Sequence, residues 1–376
     1  MPIADDKLYR ALRRHLDRMP VPYPATESGV ELRILKRLFT PEEAQLALSL
    51  SAIPEPASTI HRRVASAMTR EQLCETLDRM AEKGSIQKMP GKRGPRYAKS
   101  PLVLGMYEAQ VNRLTPDFER DVRAYFDEGF AAAVHGPRTP QMRTVPVHRS
   151  IPVEHAVASY DDIRRFVEAS PGPFAAIPCI CRQGRELTGQ PCRVTHEARN
   201  CLVFGVAATI TTERGIARSV SKEEMLALLE QADSQGLVLE PQNTQDPLFV
   251  CCCCGCCCGV LTTAKKLPRP AEFFQADFVA QVERDKCEHC GTCATRCQMD
   301  AVVADGEPAK VTEDRCIGCG LCVTTCPSEA MSLRKKERRP PPPRDMTQLY
   351  TTIFQQRFGR LGAAAAVAGH FLGRKF

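Results

Sequence analysis

Cys287-Glu288-His289-Cys290-Gly291-Thr292-Cys293-Ala294-Thr295-Arg296-Cys297 and Cys316-Ile317-Gly318-Cys319-Gly320-Leu321-Cys322-Val323-Thr324-Thr325-Cys326-Pro327 repeat one spacing, with two, two and then three residues between cysteines. Two intervening residues let a looping backbone set three successive thiolates around one inorganic cube. The three-residue step then carries the chain toward a neighbouring cube. Four-thiolate zinc is the competing reading, because it also uses C-x2-C pairs. Two complete runs of this pattern disfavour it.

The runs resemble those of bacterial-type two-cluster ferredoxins. That resemblance implies one [4Fe–4S] cluster on Cys287, Cys290, Cys293 and Cys326, and a second on Cys316, Cys319, Cys322 and Cys297. The sequence departs from that family at one point: Gln298, not Pro, follows Cys297, which bears on the local turn and on the second cluster's potential.

Outward from these runs, the chain has 376 residues and 20 cysteines, nearly all of them clustered. The N-terminus, Met1 to Arg10, is polar and lacks the apolar stretch of a signal peptide, so a cytoplasmic protein with reduced thiols is expected. Clustered cysteines then read as metal binding and not as a disulfide framework. No run approaches the roughly 18 apolar residues of a membrane span. Cys179, Cys181, Cys192 and Cys201, with Arg182, Arg193 and Arg199 nearby, form a candidate third centre, iron–sulfur or zinc. Cys251 to Cys258 holds seven cysteines around Gly255. Alternating side-chain directions let only part of them point one way, and Cys253, Cys254, Cys256, Cys257 and Cys258 form a second pool of ligands. The two segments are expected to meet in space and hold at least one further metal centre, most readily iron–sulfur.

The expected fold is α+β and multidomain. Residues 1–26 read as an N-terminal arm, charged and then punctuated by Pro20, Pro22 and Pro24. Residues 27–100 read as a winged-helix-like domain. Thr40 and Pro41 open one helix, a second begins near Ser58, and the capping box Thr69-Arg70-Glu71-Gln72 opens a third with Leu73, Leu77 and Met80 inside. Ser85 to Met89 and Arg96 to Lys99 flank a basic turn as a hairpin. Residues 101–285 read as a mixed α/β cysteine-rich region. Its expected helices include Phe118 to Phe126, Tyr160 to Glu168 and one opened by Ser221, with a strand at Leu237 to Leu239 and an apolar run at Cys201 to Val206. Residues 286–333 form the two-cluster ferredoxin domain. Residues 334–376 are a basic and proline-rich linker followed by a helix, Thr347 to Leu372, whose stripe of Leu349, Ile353, Phe354, Phe358 and Leu361 packs on this protein or docks on a partner or membrane surface.

As a whole the chain resembles a family of multi-cluster 4Fe–4S binding proteins of anaerobic microbes. The resemblance is carried by Gly105-Met106-Tyr107-Glu108, Val111-Asn112-Arg113-Leu114-Thr115, Cys179-Ile180-Cys181-Arg182 and the block Cys251 to Gly259. It implies redox work in an electron-transfer chain with redox protein partners and an oxidoreductase complex, and it makes Cys252 the least suitable ligand. The Cys-Cys-Gly tripeptides at 253–255 and 257–259 also resemble those of heterodisulfide-reductase-type proteins.

Three functions compete: an electron carrier or electron-transfer subunit without activity of its own, a redox-sensing winged-helix regulator, and an oxidoreductase subunit with a catalytic cluster at the middle cysteines. The formal charge of +7 falls to +3 with two clusters of charge −2, so whole-protein charge gives no argument for nucleic acid. Residues 70–83 carry Arg70, Arg79 and Lys83 against Glu71, Glu75, Asp78 and Glu82, a poor match to a DNA groove. Only the hairpin, with Lys88, Lys92, Arg93, Arg96 and Lys99, is basic on balance. Electron transfer is therefore the favoured reading.

Overall fold

A computed structural model describes residues 2–65, 67–151, 161–274, 276–336 and 341–371. The chain divides into two compact units, residues 1–137 with 351–376, and residues 138–350.

In the first unit the segment expected as an arm begins as a helix, Pro2–Leu16. Tyr9, Leu12 and Leu16 fall on one face and are buried, and the Tyr9 hydroxyl donates to the Phe39 carbonyl at 2.7 Å. The three prolines lie beyond its end. Helices Val30–Leu38 and Pro41–Ala47 pack on it, the second opened by a reciprocal box between Thr40 and Glu43. Helices Ala57–Val64 and Arg70–Glu82 follow. Thr69 and Gln72 cap the latter reciprocally, as the sequence predicts, and Leu73, Leu77 and Met80 are buried. Strands β1 (Glu55–Pro56), β2 (Ile86–Met89) and β3 (Arg96–Lys99) form an antiparallel sheet in the order β1-β3-β2. Phe118, Val122 and Tyr125 are buried along helix Pro116–Tyr125.

The C-terminal helix, Met346–Phe371, is interrupted at Gly359. Leu349, Ile353 and Phe354 are buried, and Arg357 donates to the Met19 carbonyl. Phe358 and Leu361 are exposed, so the apolar stripe is only half used. Leu372 lies outside the described residues. Among the described residues no helix is long and apolar enough to cross a membrane.

The second unit is built on a five-stranded antiparallel sheet of β4 (Phe174–Ile177), β5 (Cys201–Phe204), β6 (Arg218–Val220), β7 (Val238–Pro241) and β8 (Phe249–Cys253), in the order β6-β4-β5-β8-β7. Helix Ile163–Ala169 is capped by Asp162, and Tyr160 of the expected helix lies outside the described residues. Ser221 caps helix Lys222–Gln235, and Gly236 closes it in the left-handed region that favours glycine. The apolar run from Cys201 is a strand that turns into helix Gly205–Glu213.

Beside this sheet, β9 (Phe278–Val282) pairs with β12 (Met331–Lys335), and β10 (Val302–Val303) with β11 (Lys310–Val311). The cysteine runs lie between these pairs, with one short helix, Thr292–Arg296. The strand that closes this small domain therefore lies before residue 286.

Candidate metal centres

Cys287, Cys290, Cys293 and Cys326 line one partly enclosed cavity, together with Ala304, Ala309, Ala330 and Met331. The last cysteine of the second run thus lies beside the first three of the first run. Cys293 is buried, and burial raises its thiol pKa. Cys290 is exposed.

Cys316, Cys319, Cys322 and Cys297 form a deeper group. Burial pushes the Cys319 and Cys322 thiols up, and the nearby Cys297 and Cys316 add to it. Backbone N–H groups point at the sulfurs: Ala280 N donates to Cys316 at 3.4 Å and Ala301 N to Cys297 at 3.2 Å. Such donors favour thiolate over thiol. Buried sulfurs that repel one another as thiolates, with N–H donors at Cys316 and Cys297, suit an inserted cationic core. Both sets fit [4Fe–4S] clusters, which supply one-electron redox chemistry when bound.

Residues 280–333 match the family model of the 4Fe-4S dicluster domain. This span carries a ferredoxin-like iron–sulfur module. No curated protein and no solved structure gives a significant match to the chain. The dicluster domain covers one end of the second unit, and the middle cysteines lie outside it.

Antiparallel pairing gathers those middle cysteines at one end of the sheet. Ile177 at the end of β4 faces Cys201 at the start of β5, and Cys201 faces Cys251 near the end of β8. The chain leaves β4 into Cys179 and Cys181, and leaves β8 into Cys254 to Cys258. The segments 179–201 and 251–258 therefore meet, with Cys192 Sγ 3.6 Å from Cys254 Sγ and Cys201 Sγ 4.0 Å from Cys251 Sγ.

The thiols divide into two groups. Cys192, Cys254, Cys256 and Cys257 have all four sulfurs within 4.8 Å of one another. Cys179, Cys181, Cys201, Cys251, Cys253 and Cys258 form the other group, linked by mutual sulfur contacts. Cys192 is thus parted from Cys179, Cys181 and Cys201, with which the sequence reading grouped it. Cys251, left out of that reading's ligand pool, joins Cys201. The signal for it was present in strand alternation, which puts Cys251 and Cys253 on one face of β8. Cys252 points to the other face, opposite Leu239, where burial pushes its thiol up to about 12.

Arg182 sits between the groups and is 6% exposed. Its Nη2 donates to the Cys252 carbonyl at 2.8 Å, while Nε and Nη1 have no hydrogen-bond partner among the described residues. Burial opposes its charge, but Cys179, Cys254, Cys192 and Cys253 more than offset this and raise its pKa. At the sheet edge, Glu240 lies opposite Cys251, and burial raises its carboxyl to about 8.

The two regions are coupled through Gln298. Its side-chain oxygen accepts from Gly255 N at 2.8 Å, and a Cβ at residue 255 would lie 2.2 Å from the Gln298 carbonyl. The residue that replaces the ferredoxin proline is therefore a contact between the cysteine loop and the segment after Cys297.

Proposed function

We propose that this protein is an electron carrier or electron-transfer subunit of an anaerobic oxidoreductase, with no catalysis of its own, in a family of multi-cluster 4Fe–4S proteins. The observation that carries this reading is the chain of thiol groups within one compact unit. Cys290 is open to solvent, Cys293 lies near Cys322, and Cys297 adjoins the residue that grips Gly255 in the cysteine loop. Cys290 is exposed, whereas Cys293, Cys316, Cys322, Cys253, Cys254, Cys257 and Cys258 are buried. Cys287, Cys290, Cys293 and Cys326 would hold one cluster, and Cys316, Cys319, Cys322 and Cys297 the second. Cys179, Cys181, Cys201, Cys251, Cys253 and Cys258 are the ligand pool for a third iron–sulfur centre. The exposed Cys290 end would face a redox protein partner.

Anaerobic purification should give about eight irons and as many sulfides from the dicluster domain alone. EPR of the reduced full-length protein should include the interacting signal of the two dicluster clusters, with any signal of the third centre added to it. Zinc with no acid-labile sulfide in that domain would reject the reading.

The regulator alternative rests on the residue 27–100 unit, which we read as winged-helix-like and suited to protein docking. Its basic turn is mostly engaged internally. Lys88 pairs with Asp78 at 2.7 Å, Arg96 donates to the Pro54 carbonyl, and the buried Lys99 donates to the His15 carbonyl. Lys92 and Arg93 are exposed. Duplex DNA should therefore bind weakly and without sequence preference, falling steeply with salt. Replacing Lys92 and Arg93 by Ala should remove that binding in a titration at low salt. A sequence-specific footprint that changes on cluster oxidation would promote the regulator reading instead.

A further inference from the structure

We propose that Cys192, Cys254, Cys256 and Cys257 bind a single tetrahedral divalent metal ion of the zinc class, without inorganic sulfide. The spacing of the sulfurs carries the inference. Cys192 lies 3.6 Å from Cys254 and 3.7 Å from Cys256, and Cys256 lies 3.6 Å from both Cys254 and Cys257. Four thiolates on one ion at a metal–sulfur distance of about 2.3 Å stand about 3.8 Å apart along each edge of the tetrahedron. A cubane places its thiolates outside its iron corners, hence much farther apart. The dicluster thiols behave differently: among the described residues, Cys192, Cys254, Cys256 and Cys257 form the one group of three or more candidate ligands drawn this close.

Local structure explains the convergence. The chain turns immediately after β8, so Cys254, Cys256 and Cys257 face inward from one turn, and the Cys258 N–H closes that turn on the Cys254 carbonyl at 3.2 Å. Gly255 is pinned outward against Gln298. The fourth sulfur arrives from the loop that holds Cys192. Three ligands from one turn and one from a distant loop make a closed site with no open coordination position, which is the pattern of a structural ion.

Charge supplies an independent observation. A divalent ion with four thiolates carries −2. Arg182 is a buried cation near Cys254 and Cys192 as well as Cys179 and Cys253, and its Nε and Nη1 have no hydrogen-bond partner among the described residues. A buried guanidinium with unsatisfied N–H groups is costly, and an anionic metal–thiolate centre supplies counter-charge.

This inference is independent of the dicluster clusters, and sulfide separates the two. The test is full-length protein purified anaerobically as wild type, Cys256→Ser, Cys192→Ser and Cys252→Ser, with zinc, iron and acid-labile sulfide counted in each. The expected result is about one zinc, or one iron without sulfide, in wild type and Cys252→Ser, lost from the other two variants. The sulfide count should stay constant across all four proteins. Because a ligand variant can misfold, wild-type protein is also stripped of that ion and titrated with Co²⁺. One equivalent should give the visible ligand-field bands of tetrahedral cobalt thiolate. Loss of several irons together with sulfide in Cys256→Ser would overturn the inference. So would a wild-type protein with no sulfide-free metal, or octahedral cobalt.

Discussion

Gly318→Ala is expected to remove the second cluster of the dicluster domain and to leave the first. Gly318 separates Cys316 from Cys319 and has φ of 67°, in the left-handed region. A side chain there costs about 1–2 kcal/mol from conformation alone. The added Cβ would also meet the Phe278 carbonyl oxygen at 2.2 Å, and that oxygen belongs to β9, which is fixed by its ladder with β12. Relief requires moving either the strand or the loop, at a further cost of about 1–3 kcal/mol. The loop yields first, because β9 is held along five residue pairs. Cys316 then loses the N–H of Ala280, which it accepts at 3.4 Å, and the four sulfurs lose their common centre. Anaerobically purified Gly318→Ala should contain about four fewer irons than wild type, with a matching loss of sulfide. The interacting EPR signal of the two dicluster clusters should be replaced by the non-interacting signal of the one that remains. An unchanged iron count with unchanged thermal stability would show that this loop tolerates the side chain.

The dicluster domain was legible because its information is local. Each run groups three cysteines by sequence spacing, and the resemblance to two-cluster ferredoxins implies the fourth ligand of each set. Even there, the strand that completes the domain, β9, lies before the first cysteine and carries no cluster motif. The middle cysteines were only half legible. That 179–201 and 251–258 meet follows from their shared chemistry, but the grouping of the thiols is set by β-sheet register. Cys201 and Cys251 are partners across β5 and β8, fifty residues apart, whereas Cys192 and Cys201, close in sequence, go to different groups. No spacing rule reports a cross-strand pair. Gln298 shows the same limit: sequence marks it as a departure from ferredoxins, and only the packed loop shows that it holds Gly255. At the N-terminus, Tyr9, Leu12 and Leu16 carry a helical period, but the charge around them and the prolines after them masked it.

Arg182→Leu should loosen the cysteine loop and lower the stability of the second unit. The guanidinium lies near thiols of both middle groups, Cys179 and Cys253 of one and Cys192 and Cys254 of the other. It leaves helix Ile180–Leu187, whose N-cap is Cys179, and donates to the carbonyl of Cys252. Cys252 N in turn donates to the Asn200 carbonyl at 2.8 Å, so the arginine closes a network joining the segments around 180, 200 and 252. Leucine fills much of the volume, which separates lost polar contact from lost packing. Loss of a hydrogen bond from a charged donor, with the Cys252 carbonyl left short of a partner, costs about 2–3 kcal/mol. For a unit of this size that corresponds to a fall in Tm of roughly 4–12 °C. The electrostatic consequence has a definite sign. Removing a positive charge beside an anionic metal–thiolate centre disfavours adding an electron there, so any redox-active centre among the middle cysteines should shift to a lower potential. The dicluster potentials should move far less. Arg182→Lys separates the two effects, since it keeps the charge but its single ammonium cannot reproduce the guanidinium fork. Potential should be largely restored in the lysine variant while Tm stays low. A leucine variant with wild-type Tm would show that the network does not depend on this arginine.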